Sequence, residues 1–361
     1  MLKKIIFDLM NNQPLGNIEP LNLPIVFTLA KGRSGTTLLQ TILDGHPNTI
    51  APPESRFVVH FWNRYRNVKR WTPAVKKRFI QDVLSDMKIA LFWEINVEIL
   101  TKRIELLPEN TSYGMACKQV YTSRRSLFSK EVPGVIIDKN PIHALLIPII
   151  TSIFPDAKFI HVVRDFRANS SSFLKFRPNK SMRELGFMWI LFNSKIEELK
   201  NEVDNRFHSM EYEELVKNPE KTLRALTTFF ELPYHPSMLE YHKTIQNSYT
   251  EYVARSPSEE IRKMRELGAG TVHKNLTKPL NPNLIDSWKS TLTLEQVQAL
   301  EEVCGTYATQ YGYDSEIKKE IPKTIPFNIQ LRAKKLVWYY SLPIRLRELK
   351  SKPNLALLSK P

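Results

Sequence analysis

Residues 30–39 read AKGRSGTTLL, and they join an apolar segment, PIVFTL (residues 24–29), to a helical pattern, LLQTILDGHP (residues 38–47). A strand, a turn of small residues and a helix follow one another in phosphate-binding loops, where backbone N–H groups and the positive helix end hold the phosphate. Loops for nucleoside triphosphates place a lysine just before the final Ser or Thr. Here Gly35 precedes Thr36 and Thr37 directly, and Arg33 is the basic residue. The stretch predicts a site for one 5′-phosphate that carries a transferable group.

The rest of the chain alternates apolar, strand-like segments with helical patterns, as in a parallel sheet covered by helices on both faces. Ligands of such sheets lie at the carboxyl ends of the strands, where the loops beginning at Ala30, Asp138 and Arg164 should meet. We therefore expect an α/β fold, a P-loop-like three-layer αβα arrangement with a central parallel sheet. The predicted strands are residues 24–29, 134–137, 158–163 and 206–210, and the predicted helices are residues 36–44, 143–154, 168–176, 183–203 and 219–230.

Two segments depart from this alternation. Residues 62–125 have mixed helical periodicity and predict helices over the site. Residues 250–282 are polar, contain Gly-Ala-Gly at 268–270 and predict a long loop or lid, a kind of segment that is usually functional or disordered. His46 stands at a predicted helix end, where we expect a capping role rather than catalysis.

The composition is that of a soluble globular protein, with 42% hydrophobic and 25% charged residues in 361. No window approaches the roughly 18 to 20 apolar residues that a membrane-spanning helix needs. The first residues lack the features of a signal peptide, so we expect a cytoplasmic protein. Two cysteines, Cys117 and Cys304, are too few for a disulfide framework or a metal cluster and should be buried.

The positive charge is concentrated at the end of the chain. Residues 317–361 carry eleven Lys or Arg against two acidic residues, so this segment contributes +9 of the net +15. We divide the chain into an N-terminal extension (1–19), a main domain (20–316) and a basic, aromatic C-terminal tail (317–361). The tail is either a helix packed on the domain or a peripheral segment attracted to an anionic membrane; no nucleic acid is expected.

Two further segments carry basic residues at predicted strand ends. FPDAKFIHVVRDFRANSSSF (residues 154–173) puts Arg164 after a strand, with Ser170, Ser171 and Ser172 one to two helical turns later, a layout suited to a second phosphate. DKNPIHALL (residues 138–146) puts Lys139 in a strand-to-helix turn. With KGRSGTTLLQTILDGHPN, PPESR, MEYEELVKNPEKTLRALTTFF and LTKPLNPNLIDSW, these segments resemble the PAPS-dependent sulfotransferase family over about residues 24–316. Within that family the chain is most similar to the tyrosylprotein-sulfotransferase branch and its bacterial relatives.

This resemblance implies 3′-phosphoadenosine 5′-phosphosulfate (PAPS) as co-substrate and no metal. It implies Glu54 as the base that takes the acceptor proton, Arg33 and Lys139 as stabilisers of the transition state, and Arg56 as a contact to acidic acceptor peptides. The implied nucleotide contacts are Arg33, Ser34, Gly35, Thr36 and Thr37 at the 5′-phosphosulfate, Arg164 and Ser172 at the 3′-phosphate, and Tyr212 and Lys278 elsewhere on the nucleotide.

The chain also departs from the branch. Secretory members have cysteines where this chain has Ala51 and Ile137, and they have a membrane anchor, which we do not find here. These differences favour a cytoplasmic protein. Arg56 and the resemblance favour a protein tyrosine as acceptor, whereas the cytoplasmic setting and the basic tail favour a lipid or glycolipid; we favour the lipid or glycolipid, and a glycan stays open. The alternatives to a sulfotransferase are a P-loop kinase or NTPase, which the missing lysine disfavours, and a non-catalytic anion- or membrane-binding protein.

Overall fold

The computed structural model of the protein describes residues 19–256, 258–271 and 276–315. Its strands are β1 (Ile25–Leu29), β2 (Thr49–Ile50), β3 (Glu94–Ile95), β4 (Arg124–Arg125), β5 (Val135–Lys139), β6 (Lys158–Val163) and β7 (Phe207–Glu211). Its α-helices are α1 (Thr36–Asp44), α2 (Phe57–His60), α3 (Trp62–Tyr65), α4 (Pro73–Leu84), α5 (Met87–Phe92), α6 (Val97–Leu106), α7 (Tyr113–Thr122), α8 (Ile147–Ile153), α9 (Phe166–Leu174), α10 (Met182–Val203), α11 (Tyr212–Lys217), α12 (Pro219–Phe229), α13 (Tyr241–Ala254), α14 (Glu259–Thr271) and α15 (Leu294–Ala308).

Five strands form the central sheet in the order β2-β5-β1-β6-β7, and every neighbouring pair is parallel. The four longer strands match the predicted ones to within two residues at each end. The prediction missed β2, because two residues carry no periodicity; this strand pairs with the first two residues of β5 at the sheet edge.

Alternate residues of β1 enter two different cores, as the two-residue period of a strand requires. Ile25, Phe27 and Leu29 belong to one buried cluster, which also holds side chains of α2 to α7. Val26 belongs to a second cluster, which is formed with residues of α1, α11 and α12. Helices therefore cover both faces of the sheet, and the expected three-layer αβα fold is confirmed.

The carboxyl ends of the three central strands lie side by side. In the pairing register Thr28 is opposite Lys139 on one side, and Leu29 is opposite His161 on the other. The loops that follow β1, β5 and β6 therefore leave the sheet at one edge. The candidate active site lies at this edge of the sheet.

The helices predicted within residues 62–125 are present, as α3 to α7, and they form a compact aromatic subdomain. Tyr65 stacks on Trp71 with ring centroids 5.7 Å apart, and both rings contact Phe79 edge to face. The short antiparallel pair β3–β4 lies at the end of this subdomain that faces the site. The subdomain thus forms a wall beside the carboxyl edge of the sheet.

The single helix predicted at residues 143–154 is wrong in detail. A 3-10 helix, Pro141–Leu145, comes first, and α8 begins only after it. Leu146 between them has the non-helical φ of −127°. Proline at the first turn of each helix explains the break, because proline starts a helix readily but cannot continue one.

The long loop predicted at residues 250–282 is also wrong over most of its length, because α13 continues to Ala254 and α14 spans Glu259–Thr271. Ser258 caps α14 by accepting a hydrogen bond from the backbone N–H of Ile261. The glycines at 268 and 270 suggested a loop, but the helix-forming residues before them carry the helix through.

The proposed extension and tail lie outside the described residues, except Glu19, so the division of the chain into three parts stays a prediction. Within the described residues, no helix is both long enough and apolar enough to span a bilayer. Both cysteines are free and buried, as expected.

Candidate active site

The loop after β1 has a conformation that only particular residues adopt easily. Arg33 and Gly35 both have left-handed backbone angles, with φ of 76° and 80°. A Cβ atom at Gly35 would lie 2.2 Å from Cδ2 of Tyr212, so a side chain has no room there. A left-handed non-glycine residue costs about 1–2 kcal/mol, and such strain is concentrated at functional sites. The loop brings its backbone and the start of α1 close to the Tyr212 ring.

Two arginines converge beside this loop. Arg33 Nε donates a hydrogen bond to Ser172 Oγ at 3.2 Å, and Arg164 Nη1 donates one to the carbonyl oxygen of Arg33 at 3.1 Å. The Arg164 guanidinium also lies 4.4 Å from the centroid of the Tyr212 ring. Burial and the positive charge of Arg164 both lower the pKa of Arg33. Like charges held this close favour the binding of an anion between them.

These side chains line a cavity of about 610 Å³, which we call the donor cavity. Its far wall comes from the segment that follows α14, where the carbonyl oxygen of Lys278 accepts a hydrogen bond from the Tyr241 hydroxyl at 2.8 Å. The residues that line the donor cavity are Arg33, Gly35, Thr36, Thr37, Leu38, Arg164, Ser172, Tyr212, Val216, Tyr241, Leu276, Lys278, Pro279, Leu280, Asn281 and Leu284. Of the predicted nucleotide contacts, only Ser34 is absent from this lining; its side chain is buried behind the loop, against Asn169.

A second cavity of about 250 Å³ adjoins the first at Thr37 and Leu276, which line both. We call it the acceptor cavity. It contains the predicted base Glu54 and the predicted stabiliser Lys139, beside aromatic and cationic side chains. Its lining is Thr37, Gln40, Thr41, Asp44, Pro53, Glu54, Lys88, Phe92, Glu94, Arg124, Arg125, Leu127, Phe128, Lys139, Ile245, Tyr249, Tyr252, Arg265 and Leu276.

Lys139 and Glu54 meet at the junction of the two cavities. Lys139 Nζ donates to Thr37 Oγ1 at 3.3 Å and lies 4.0 Å from Glu54 Oε1. The lysine side chain is 4% exposed and the glutamate side chain 45%. Burial lowers the pKa of Lys139, and the nearby Glu54 carboxylate opposes this effect. A buried cation thus faces the loop, and a solvent-accessible carboxylate stands beside it.

The backbone on both sides of Glu54 is held from several directions. Asn140 Nδ2 donates to the carbonyl oxygen of Ser55 at 2.8 Å, and Trp93 Nε1 donates to that of Pro53 at 2.8 Å. Asn140 is itself oriented by the buried Asp138, whose Oδ1 accepts from its Nδ2 at 2.9 Å. These bonds hold the backbone that carries Glu54, while its carboxylate stays open to solvent.

The structure separates Arg56 from the other predicted residues. Its side chain is exposed at the start of α2, and it lines neither cavity. Its predicted contact with an acceptor stays a prediction. His46 is buried, its Nε2 is 2.8 Å from the carbonyl oxygen of Pro233, and it lines neither cavity, which fits the expected structural role.

Sequence reasoning missed most of the acceptor cavity, including Lys88, Arg124, Arg125 and Arg265. Arg124 pairs with the buried Asp44 at 3.0 Å, and Arg265 donates to the backbone carbonyls of Leu91 and Tyr252, at 2.8 Å each. These residues come from segments far apart in the chain, so no local pattern joins them. In the part of the chain that the structure describes, no group of three or more His, Cys, Asp or Glu side chains is arranged to hold a metal ion.

Comparison with known proteins identifies the family of the chain. Residues 24–236 match the model of a sulfotransferase family. The chain is 24% identical to a putative protein-tyrosine sulfotransferase of Caenorhabditis briggsae over 84% of this chain and 93% of that protein. It is also 24% identical to protein-tyrosine sulfotransferase 1 of Danio rerio over 81% of this chain and 73% of that protein. Among solved structures, the sulfotransferase domain of the Synechococcus PCC 7002 olefin synthase is similar, with a TM-score of 0.48, 22% identity, and coverage of 82% of this chain and 98% of that domain. Because the family model spans more than half of the chain, the protein belongs to the sulfotransferase family, close to the protein-tyrosine branch.

Proposed function

We propose that this enzyme, which by its family transfers a sulfuryl group, takes that group from PAPS and passes it to a hydroxyl acceptor, with Glu54 as the general base. The observation that carries the proposal is the meeting of two cavities at Thr37, with Lys139 and Glu54 at their junction. A donor in one cavity and an acceptor in the other would react across this junction, where positioning supplies much of the rate.

The residues of the donor cavity fit PAPS. The left-handed turn at Gly35 leaves the backbone open to a 5′-phosphosulfate, and the helix end at Thr36 adds its positive dipole. Arg164 and Ser172 stand next to the loop, at a place suited to the 3′-phosphate. PAPS when bound supplies an activated sulfuryl group whose leaving group is the 5′-phosphate of 3′,5′-ADP.

Each of three side chains then has one task. Glu54 takes the proton of the acceptor hydroxyl as the acceptor oxygen forms its bond to sulfur. Lys139 and Arg33 neutralise the charge that grows on the 5′-phosphate oxygen as its bond to sulfur breaks. A positioned base contributes about 10² to 10⁴ in rate, and an electrostatic stabiliser contributes about 10² to 10³. The low exposure of Lys139 strengthens its effect, because water screens it little.

The acceptor cavity supports an aromatic hydroxyl, such as that of a protein tyrosine. Phe92, Phe128, Tyr249 and Tyr252 offer rings against which a phenol ring can pack. The similarity to protein-tyrosine sulfotransferases supports the same acceptor.

The charge of residues 317–361 favours a second candidate, a lipid or glycolipid hydroxyl at a membrane face, for a cytoplasmic protein that binds membranes peripherally. Each basic residue near an anionic surface contributes about 1 kcal/mol of attraction. Deleting residues 325–361 should then abolish sedimentation with phosphatidylserine vesicles and leave nucleotide binding intact. A full-length protein that fails to sediment with these vesicles at low salt would remove the support for this acceptor.

The donor is tested by comparing ligands in a thermal-shift assay. We expect 3′,5′-ADP to raise the melting temperature more than ATP with Mg²⁺ does, because the loop lacks the lysine that reaches the outer phosphates of a triphosphate. Stabilisation by ATP with Mg²⁺ but not by 3′,5′-ADP would instead favour a kinase or NTPase.

A further inference from the structure

A buried lysine lies directly behind the phosphate loop, and the reaction as described does not use it. Lys31 is 1% exposed and lines neither cavity. Its Nζ donates to Asn169 Oδ1 at 2.6 Å and lies 4.3 Å from the centroid of the Phe173 ring. Both partners are neutral, and among the described residues no carboxylate pairs with this ammonium. A buried charge without a counter-ion destabilises a fold, so its presence here points to a function.

Asn169 connects this lysine to the loop. The asparagine is fully buried in α9, and its Nδ2 donates to the carbonyl oxygen of Gly32 at 3.1 Å and to Ser34 Oγ at 3.1 Å. An ammonium can only donate, so it fixes the amide with the oxygen facing Lys31 and the NH₂ group facing the loop. The lysine therefore stabilises the orientation in which Asn169 presents its donors to the loop.

Other charged or titratable groups also lie near Lys31. Arg33 lies in the loop, and the ion pair between Arg167 and Asp165 at the start of α9 has an N–O distance of 2.7 Å. Cys304 approaches from α15, and burial raises the pKa of its thiol well above the ordinary value. Burial lowers the pKa of Lys31 to about 7. This pKa places the titration of Lys31 near neutrality.

We propose that Lys31 is a positioning residue for the sulfuryl donor: its ammonium orients Asn169, and Asn169 holds the loop at Gly32 and Ser34 in the conformation that binds the 5′-phosphosulfate. The proposal rests on PAPS being the donor. Its consequence is that donor affinity depends on the protonation of a residue that does not touch the donor.

The test compares Lys31→Met with the wild type by calorimetric titration of 3′,5′-ADP at about pH 6 and about pH 8.5, on either side of the lysine's titration. At the lower pH we expect the variant to bind about tenfold more weakly, the loss typical of one charge-assisted hydrogen bond. At the higher pH the gap should shrink to about threefold or less, because the wild type has then lost the charge as well. The phosphates of the ligand titrate alike with both proteins and cancel in the comparison.

Two controls separate positioning from packing. Lys76→Met removes another buried lysine, whose Nζ donates to the backbone carbonyl of Glu105 at 2.8 Å, away from both cavities; it should leave the affinity for 3′,5′-ADP unchanged. In an Asn169→Leu background, adding Lys31→Met should change the affinity by less than about twofold, because the lysine acts through the asparagine.

Equal affinity of Lys31→Met and the wild type at the lower pH would overturn the proposal. A difference in affinity for 3′,5′-ADP that stays the same at both pH values would also overturn it, because such a difference would come from lost packing rather than from lost charge. A wild type that binds no 3′,5′-ADP at all would refute the proposed donor itself, and with it this inference. The two failures are therefore distinguishable.

Discussion

Replacing Lys31 by methionine should alter the stability of the fold with a sign that depends on pH. Burial lowers the pKa of this lysine from 10.5 to about 7. Between these values the unfolded chain binds a proton that the folded chain does not, so the wild type gains stability as the pH rises through this window. At pH values below this window the folded chain carries the buried charge in full, so the loss of stability is at its maximum. The pKa of Lys31 differs by roughly 3.5 between the unfolded and the folded chain, and at about 1.4 kcal/mol per pH unit this difference lowers the free energy of unfolding by at most about 5 kcal/mol.

The Lys31→Met variant has no buried charge, but it is destabilised in a different way. Methionine leaves Asn169 Oδ1 without the donor that now lies 2.6 Å away. An unsatisfied buried acceptor costs about 1–3 kcal/mol at every pH. Below pH 7 the variant should therefore be more stable than the wild type by about 2–4 kcal/mol, and above pH 10.5 it should be less stable by about 1–3 kcal/mol.

The assay is a series of thermal melts of both proteins from about pH 6 to about pH 10, followed by intrinsic fluorescence. The melting-temperature curves should converge with rising pH and cross near the alkaline end, because only the wild type carries the titrating lysine. A variant that melts below the wild type at every pH would refute the reasoning, because it would mean that the ammonium is not destabilised by its surroundings.

Three other predictions test the site. Arg164→Ala should weaken the binding of 3′,5′-ADP by about 10- to 100-fold, equivalent to about 1.5–3 kcal/mol, and should weaken the binding of 5′-AMP much less. Equal weakening of both ligands in calorimetry would show that this arginine does not bind the 3′-phosphate. Gly35→Ala should abolish donor binding, because its Cβ would overlap the Tyr212 ring. The control Gly32→Ala should bind the donor nearly normally, because its Cβ would meet nothing within 4 Å. Similar donor binding by both variants in the same titration would contradict the loop conformation described above. Lys139→Met should lower kcat by about 10² to 10³ with little change in 3′,5′-ADP affinity, and a variant that loses affinity but keeps kcat would show a binding role instead.

Much of the fold was predictable, because the sheet is built from strands whose patterns are local. β1, β5, β6 and β7 are short apolar segments bounded by turn residues, and helices of clear period lie between them. The errors came where a pattern was weak or ambiguous. The two-residue β2 has no period, and the glycines near the end of α14 outweighed the helix-forming residues before them.

The donor cavity was easier to predict than the acceptor cavity for a physical reason. Donor residues such as Arg33 and Arg164 lie in the loops that follow neighbouring strands, so the topology of a parallel sheet brings them together. The acceptor cavity instead joins α5, the β3–β4 pair and the helices α13 and α14, whose packing depends on long-range contacts. Arg265 illustrates this, because its partners Leu91 and Tyr252 are 174 and 13 residues away in the chain.

The central claim is that Glu54 accepts the proton of an acceptor hydroxyl while the sulfuryl group crosses from the donor cavity. Its most direct test is incubation with PAPS carrying radioactive sulfur and with cell extract of the source organism, followed by separation of lipid, glycan and protein. We expect label from the wild type and from the control His46→Gln, and about 10² to 10⁴ less from Glu54→Gln, which keeps its affinity for 3′,5′-ADP. Label transferred equally by Glu54→Gln, or no label in any fraction from a wild type that binds 3′,5′-ADP, would contradict the claim.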